Sequence, residues 1–291
     1  MAKRKKKPLA QAKPYRIRAA RFSDEDPLMR ILALADPDDP APFESSRTLL
    51  LRGPQGPLSH GRALLLVAQH QDGAIAGALT ASPPDWIVTH PGITSEHNQA
   101  ALFNRLGTVH GVAVDEPYRG QGIAAALIAE AERHLARQGY GLITMDHKPE
   151  LTDFYARLGY AHGAQLVIHT PGPLIAQPAH TGMIHSFKSL EGNVRLRTVP
   201  GYPEPMVSGL VSRTHIPVGA QFRPGRGLFV PPRRIAHNQR SNHVAGRLLP
   251  RPHIRHPGDS CSTERVAASN DARATGAGCG RRARGERDGP S

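Results

Sequence analysis

The sequence has few of the residues that mark disulfide-rich, metal-binding or membrane proteins. Its 291 residues include two cysteines, Cys261 and Cys279, which point to neither a disulfide framework nor a zinc site. The 16 histidines form no HExxH pattern, so we expect no metal cofactor. No run of about 18 apolar residues could span a membrane, and no apolar segment follows the basic N-terminus as in a secretory signal peptide. We therefore expect a cytoplasmic protein with no membrane partner.

Several nucleotide-binding and nucleic-acid-binding patterns are also missing. The chain contains no GxxxxGK[ST] phosphate loop and no three-glycine dinucleotide fingerprint. Helix-turn-helix, zinc-finger and RNP patterns are absent, and aromatic residues make up only 5% of the chain. These absences exclude the common nucleotide-dependent and base-reading classes.

The positive charge of the chain lies at its two ends. The formal net charge is +13, and residues 1–13 hold six Lys or Arg and no acid. Residues 191–291 hold 17 arginines, no lysine and seven acidic residues, and 24 of these 101 residues are proline or glycine. This composition predicts three parts: a basic N-terminal tail over 1–14, a folded domain over 15–190, and a largely disordered Arg/Pro/Gly-rich tail over 191–291. The tails either have no function or make weak contacts with nucleic acid through their charge.

The most informative stretch joins a predicted strand, TVHGVAV at 108–114, to a predicted helix. The turn between them includes Arg119, Gly120, Gln121 and Gly122, and the helix begins near Ile123 and Ala124. The first turn of a helix has unpaired backbone N–H groups and a positive dipole, and glycines let a ligand approach them closely. The pattern predicts a site for a phosphate or pyrophosphate, although glycine before a helix is also common turn chemistry.

A second motif, FYARLGY at 154–160, follows a predicted strand at 140–146 and a short helix near Glu150. Together, VAVDEPYRGQGIA and FYARLGY resemble the signature of the GNAT acyltransferase superfamily, [RQ]xxGx[GA] followed by a FYxxLGF-like turn. The resemblance covers residues 15 to 180. Upstream, a strand from Tyr15, a helix after Ser23 and a hairpin around Gln71-Asp72-Gly73 agree with it. It implies an α/β fold with a mixed, mostly antiparallel twisted sheet flanked by helices.

The resemblance also implies an activity, the transfer of an acetyl group from acetyl-CoA to an amine by direct attack in a ternary complex. Acetyl-CoA is then an acyl-donor co-substrate. The backbone from Arg119 to Ala124 would hold its pyrophosphate, and the strand residues Val112, Ala113 and Val114 would contact its pantetheine arm. The alternative is a protein that binds nucleic acid or the ribosome and uses this fold only as a scaffold.

Two side chains are candidates for acid–base catalysis. Tyr155 lies at the position of the family's general acid, although it could instead be a packed core aromatic. Many relatives carry Asn seven residues before this tyrosine, with Ala between them, whereas this chain has Lys148 and Leu151, which puts one contact to the pantetheine arm in doubt.

The general base has several candidates. His110 has a near-neutral pKa in the free side chain and, on a regular strand, would share a face with Val112. It could equally be a histidine satisfied by its strand neighbours. The residues Asp85, Glu96 and His97, in the loop predicted between Ser82 and Arg105, are alternatives.

The partners follow less directly from the sequence. The acceptor could be a small molecule or the amino group of a protein, because this fold serves many substrates. A homodimer could form through the strand near Gln165 to His169.

Overall fold

The computed structural model describes residues 14–36, 43–53, 55–212 and 215–231. The helices of this part are α1 (Glu25–Leu32), α2 (Glu44–Arg52), α3 (Trp86–Thr89), α4 (Glu96–Arg105), α5 (Ile123–Arg137) and α6 (Thr152–Arg157). Short 3-10 turns occur at Phe22–Asp24, Glu116–Tyr118 and Pro149–Leu151. None of the described helices is long and apolar enough to cross a membrane.

A seven-stranded sheet organises the described residues. Its strands are β1 (Tyr15–Ala19), β2 (Leu64–His70), β3 (Ile75–Ser82), β4 (Leu106–Val114), β5 (Leu142–His147), β6 (Ala161–Gly163) and β9 (Ile184–Ser189). They lie in the order β1-β2-β3-β4-β5-β9-β6, and only β4 and β5 are parallel. The predicted mixed, mostly antiparallel sheet flanked by helices is confirmed, as is the predicted β2–β3 hairpin.

The two faces of the sheet carry different helices. On one face, the apolar side of α5, with Ile123, Leu127 and Leu135 fully or almost fully buried, packs in one cluster with residues of β1 to β5. On the other face, α1 and α2 pack in a second cluster against β2 and β3. The apolar spacing of α5 predicts the first arrangement, because one side of that helix is hydrophobic and the other charged.

A second sheet extends the fold beyond the predicted domain boundary at residue 190. Its strands are β7 (Gln165–Ile168), β8 (Ile175–Pro178), β10 (Arg195–Arg197) and β11 (Met206–Ser208), in the order β10-β11-β7-β8. A separate hairpin pairs β12 (Gln221–Arg223) with β13 (Gly227–Phe229). The prediction of a tail without packed structure is therefore wrong for residues 191–231, while its remainder, 232–291, lies outside the described residues, as does the basic segment 1–13.

The physical reason for this correction is a small number of well-placed apolar side chains. Val194, Val207 and Leu210 are at most 3% exposed and share a cluster with Leu142 of β5 and Phe187 of β9. The sequence gives no periodic signal for them, because only Val207 lies in a strand and that strand is three residues long, in a segment rich in proline and glycine.

Arg105 connects this C-terminal segment to the start of β4 through hydrogen bonds and an ion pair. Arg105, the last residue of α4, donates from Nη1 to the backbone oxygens of Gly209 (2.9 Å) and Leu210 (2.7 Å). Its Nη2 lies 2.6 Å from a carboxylate oxygen of Glu191. Carbonyl and carboxylate partners together satisfy the planar guanidinium from two sides.

The strand expected to mediate a dimer is β7, and it has no free edge. It pairs with β8 on one side and with β11 on the other, through Met206 opposite Val167 and Val207 opposite Ile168. A second copy could pair along Val167 and Ile168 only by displacing β11 or β8, and the homodimer itself stays a prediction.

Two further predictions differ from the structure. The segment from Ser82 to Arg105 is not one loop but contains α3 and α4, whose apolar periodicity is weak. Ser23 does not cap α1, because it lies inside a 3-10 turn. Instead the carboxylate of Asp24 accepts hydrogen bonds from Arg18 and from the backbone N–H of Arg21, and these bonds fix the entry into the helix.

The packing of the C-terminal segment can be tested with Leu210→Ala. Leu210 is fully buried, so we expect its truncation to lower the free energy of unfolding by about 2–5 kcal/mol. Val218→Ala is the matched control, since Val218 is 88% exposed and its truncation should change stability by less than about 0.5 kcal/mol. Denaturant unfolding followed by circular dichroism measures both. Equal midpoints for the two variants would show that residues 191–231 do not pack against the sheet.

Candidate active site

The separation of β4 from β5 defines the centre of the candidate site. The two strands pair only through Leu106–Thr108 and Leu142–Thr144. From Val109 onward, β4 stays paired with β3, but its other edge has no strand partner among the described residues. Backbone N–H and C=O groups on that edge are available to an extended ligand, as at any free strand edge. Val112, Ala113 and Val114, the predicted donor contacts, belong to this unpaired length of β4.

The predicted anion-binding turn lies at the end of the same strand. Gly120 and Gly122 have φ of +77° and +75°, and a Cβ built on either would have no atom within 4 Å. Gly122 is the residue before α5, and no side chain caps the helix start. The first N–H groups of a 15-residue helix therefore face open space, which fits a phosphate group and suits its charge.

The other residues of this turn leave the space open. Arg119 and Gln121 are exposed, and the Nε of Arg119 donates to the backbone oxygen of Val114 at 3.2 Å. Ile123 is buried against the sheet, whereas Ala124 is half-buried and small. The turn is thus tied to the end of β4 by a side chain that does not cover it.

Tyr155 lies on the α5 side of the sheet, near the point where the strands separate. It is 4% exposed and shares a cluster with Val109 and Met145, the first residues beyond the paired segments of β4 and β5. Burial raises the pKa of its phenol to about 12, so the hydroxyl stays protonated at neutral pH. Tyr155 is therefore a packed aromatic side chain whose hydroxyl carries its proton at neutral pH.

A hydrogen-bonded network of His147, Ser186 and His162, which the sequence analysis missed, contacts the ring of Tyr155. The ring of His147 stacks on it, with centroids 4.5 Å apart and planes 28° apart. His147 contacts the backbone oxygen of Lys148 through Nδ1 (2.8 Å) and the hydroxyl of Ser186 through Nε2 (2.6 Å). That hydroxyl also lies 2.7 Å from Nδ1 of His162. A carbonyl can only accept, so Nδ1 of His147 carries the proton, and Nε2 accepts from Ser186, which in turn accepts from His162.

His110 does not share the face of Val112, as a regular strand would require. Thr80 pairs with Gly111 and Ala81 pairs with Val109, so His110 is the extra residue of a β-bulge. The bulge reverses the alternation: Val112 packs in the α5 cluster, whereas His110 lines a pocket beside α2. This part of the prediction is wrong because a one-residue insertion cannot be seen in the hydrophobic pattern.

The surroundings of His110 keep it neutral. Its Nε2 lies 2.7 Å from the hydroxyl of Ser82, and the surrounding protein desolvates the ring although the residue is exposed at the surface. This desolvation lowers the pKa of His110; the charge of Asp85 raises it in part, and His180 lowers it further. A neutral imidazole can accept a proton at neutral pH. Of the alternative bases, Asp85 lines the same pocket, whereas Glu96 and His97 do not.

A second cluster missed from the sequence lies where β5 has left β4. Asp146, two residues beyond the last paired residue, accepts a hydrogen bond from the backbone N–H of His180 (2.9 Å) and lies 2.5 Å from Nδ1 of that residue. Its other oxygen is 2.5 Å from Nδ1 of His185. Burial alone would raise the pKa of Asp146, but the contacts with His185 and His180 outweigh it and lower the pKa. No pattern could reveal this cluster, because its histidines are 34 and 39 residues away in the chain.

The pocket beside α2 has a volume of about 630 Å³, within the range of small-molecule sites. Its walls come from α2, the segment 53–63, the end of β3 and one residue each of α4 and β4. Among the described residues, no group of three or more His, Cys, Asp or Glu side chains is arranged to hold a metal ion.

One protein-family model matches part of the chain. Residues 28–160 match the model of the Acetyltransferase (GNAT) family. No curated protein matches the chain.

Solved structures were also compared. A GNAT family N-acetyltransferase (YhbS) from Escherichia coli in complex with CoA is 23% identical, with a TM-score of 0.43 over 69% of this chain and 92% of that one. A GNAT family acetyltransferase from Elizabethkingia anophelis with acetyl-CoA bound is 15% identical, with a TM-score of 0.40 over 61% and 99% of the two chains. The ribosomal-protein-S18-alanine N-acetyltransferase from Escherichia coli is 16% identical, with a TM-score of 0.39 over 61% and 94%.

The Asp146 cluster can be tested with Asp146→Asn. A carboxylate whose pKa is lower in the folded protein stabilises the fold above its unfolded value of 3.8, and this contribution is lost as the pH falls through the folded pKa. We expect the variant to be less stable than the parent by about 1.5–3 kcal/mol at pH 7, a typical value for hydrogen bonds to a charged group. The difference in the free energy of unfolding between the variant and the parent should become smaller below about pH 4.

Thermal unfolding of both proteins between pH 3 and pH 7 measures this difference. Asp26→Asn is a control, since Asp26 is exposed and makes no ion pair within the described residues. A destabilisation of Asp146→Asn that does not change with pH would contradict the assignment of a charged carboxylate.

Proposed function

We propose, from the match of residues 28–160 to the GNAT acetyltransferase family model, that the protein transfers an acetyl group from acetyl-CoA to an amine. The observation that supports this most directly is the open glycine turn at the start of α5, joined to the unpaired edge of β4. A phosphate at the turn and an extended arm along the edge would place a thioester where the two strands separate. We further propose that the protein acts in the cytoplasm.

The donor would be held almost entirely by backbone groups. The amides from Arg119 to Ala124 would bind the pyrophosphate, and Val112, Ala113 and Val114 would contact the pantetheine arm. No side chain of the turn needs to move, because Gly120 and Gly122 leave the approach clear. Backbone donors that are already in place stabilise charge without reorganisation.

The acetyl transfer would proceed by direct attack. The amine nitrogen forms a bond to the thioester carbonyl carbon, and the carbon–sulfur bond breaks. Tyr155 is the proposed acid that protonates the leaving sulfur, since its raised pKa keeps the phenol protonated and His147 holds its ring. His110 is the proposed base that removes the amine proton, from the α2 side of the sheet.

The donor site can be tested with Gly122→Glu. A carboxylate at the helix start would repel the pyrophosphate and fill its space, so calorimetric titration should show saturable binding of acetyl-CoA to the parent and none to the variant. Gly139→Glu is a closely matched control: Gly139 has φ of +81°, has no atom near its Cβ position, and follows the other end of α5. Unchanged affinity in Gly122→Glu, or equal losses in both variants, would defeat the assignment.

The role of Tyr155 can be tested with Tyr155→Phe. Loss of a general acid should lower kcat by about 100-fold or more while acetyl-CoA affinity changes little. Thiol release in a screen of primary amines finds an acceptor, and the same assay then measures kcat.

Tyr160→Phe is the control, because it also removes a buried phenol, one that donates to Glu132 at 3.0 Å and lies in the same cluster. That variant should lose stability and keep its turnover. Equal kcat in Tyr155→Phe and the parent would leave Tyr155 with a packing role alone.

A further inference from the structure

The pocket beside α2, the α2 pocket, is lined by charged side chains of both signs. Arg52, Arg62 and Asp85 line it together with His110. Neither arginine pairs with a carboxylate within the described residues. The pocket therefore offers two unpaired positive charges, a carboxylate and a neutral imidazole.

Arg62 is held in position rather than free in solvent. Its Nη1 donates to the amide oxygen of Asn104 at 2.7 Å, and its guanidinium lies 5.1 Å from the ring centroid of Phe103. These contacts use one N–H group and one face of the guanidinium and leave its other donors unpaired. A guanidinium fixed in this way loses little freedom when it binds an anion.

His60 adds an unpaired donor to the same pocket. Its side chain is 2% exposed, and its Nδ1 lies 3.0 Å from the hydroxyl oxygen of Ser59. That oxygen accepts from the backbone N–H of Leu65 (2.9 Å). Within the part of the chain that the structure describes, the only other acceptor for its proton, the backbone oxygen of Leu65, is 3.5 Å away. The Ser59 proton therefore points to Nδ1 of His60, which must accept it.

The tautomer of His60 follows from this arrangement. Burial lowers the pKa of His60, so the ring is neutral at neutral pH and carries one proton, on Nε2. This N–H is buried and has no partner among the described residues. A buried donor without an acceptor is costly, and such groups in folded proteins are normally satisfied by a ligand or water.

We propose that Arg52, Arg62 and the Nε2–H of His60 form a subsite for an anionic group, and that the acetyl acceptor is an amine that also carries a carboxylate or a phosphate. This inference rests on the proposed function. The anionic group binds at the subsite, and the amine lies beside Asp85 and His110, which line the same pocket. The three residues of the subsite, Arg52, His60 and Arg62, line one cavity of a size that suits a small acceptor.

The test is calorimetric titration of the full-length protein, saturated with CoA, with sets of matched amines. Phenylalanine, phenylalaninamide and phenethylamine differ in the carboxylate, and phosphoethanolamine and ethanolamine differ in the phosphate. We expect at least one anionic amine to bind about tenfold more tightly than its neutral counterparts, and the two sets show which anion is preferred. Binding of the neutral amines with equal affinity would overturn the proposal.

Variants show whether the named donors are responsible. Arg52→Gln and Arg62→Gln should each weaken binding of the anionic amine about tenfold, which is about 1.4 kcal/mol. Arg195→Gln, which removes an exposed arginine outside the pocket, should have no effect. His60→Gln keeps a donor and should retain more affinity than His60→Met, which keeps the volume alone. If His60→Met does not fold, the arginine variants still show whether the subsite binds the anionic group.

The outcomes separate this inference from the proposed function. If acetyl-CoA binds but no anionic amine does, the anion subsite is wrong and the donor site stands. If anionic amines bind in an arginine-dependent manner but acetyl-CoA does not, the subsite stands and the proposed function is wrong.

Discussion

The short parallel pairing of β4 with β5 is the constraint on which the rest of the site depends. Three residues of each strand are enough to join the two halves of the sheet, and beyond them the strands separate. An unpaired strand edge inside a protein is unfavourable unless something covers it, because its polar groups lose water without gaining partners. Here that edge leads directly to the glycine turn, so one irregularity in the sheet produces both features on which the proposed donor site rests.

The candidate catalytic groups are divided between the two faces of the sheet. The helix start, Tyr155 and the His147–Ser186–His162 network lie on the α5 side, whereas His110, Asp85 and the α2 pocket lie on the other. The bulge at His110 produces this division, because it turns one side chain of β4 away from the face that alternation assigns to it. Two reactants that approach from opposite faces can meet at the gap without competing for space.

Local patterns in the sequence predicted the parts of the fold that local physics controls. The β2–β3 hairpin, the glycine turn and α5 were correctly predicted because turn residues and apolar spacing act over a few positions. The placement of Tyr155 and His110 as catalytic groups stays a prediction. The β-bulge and the Asp146 cluster could not be predicted, since each depends on residues from separate strands or loops. The orphaned N–H of His60 depends on hydrogen-bond geometry among near neighbours, which the sequence does not show. The strands beyond residue 190 were missed because three-residue strands in a proline-rich segment give no periodic signal.

The C-terminal strands have a consequence for how the protein is made. Val207 and Leu210 belong to the apolar cluster that also contains Leu106 and Leu142. Arg105 donates hydrogen bonds to the backbone oxygens of Gly209 and Leu210, so these bonds form only when both residues are present. These contacts span about a hundred residues of chain, and closing such long loops slows folding. During synthesis, residues 14–190 emerge from the ribosome with β7 lacking one neighbour and this cluster incomplete. This cluster can therefore be complete only after Val211 has been translated, so the segment that follows the two sequence motifs sets the time at which this packing is finished.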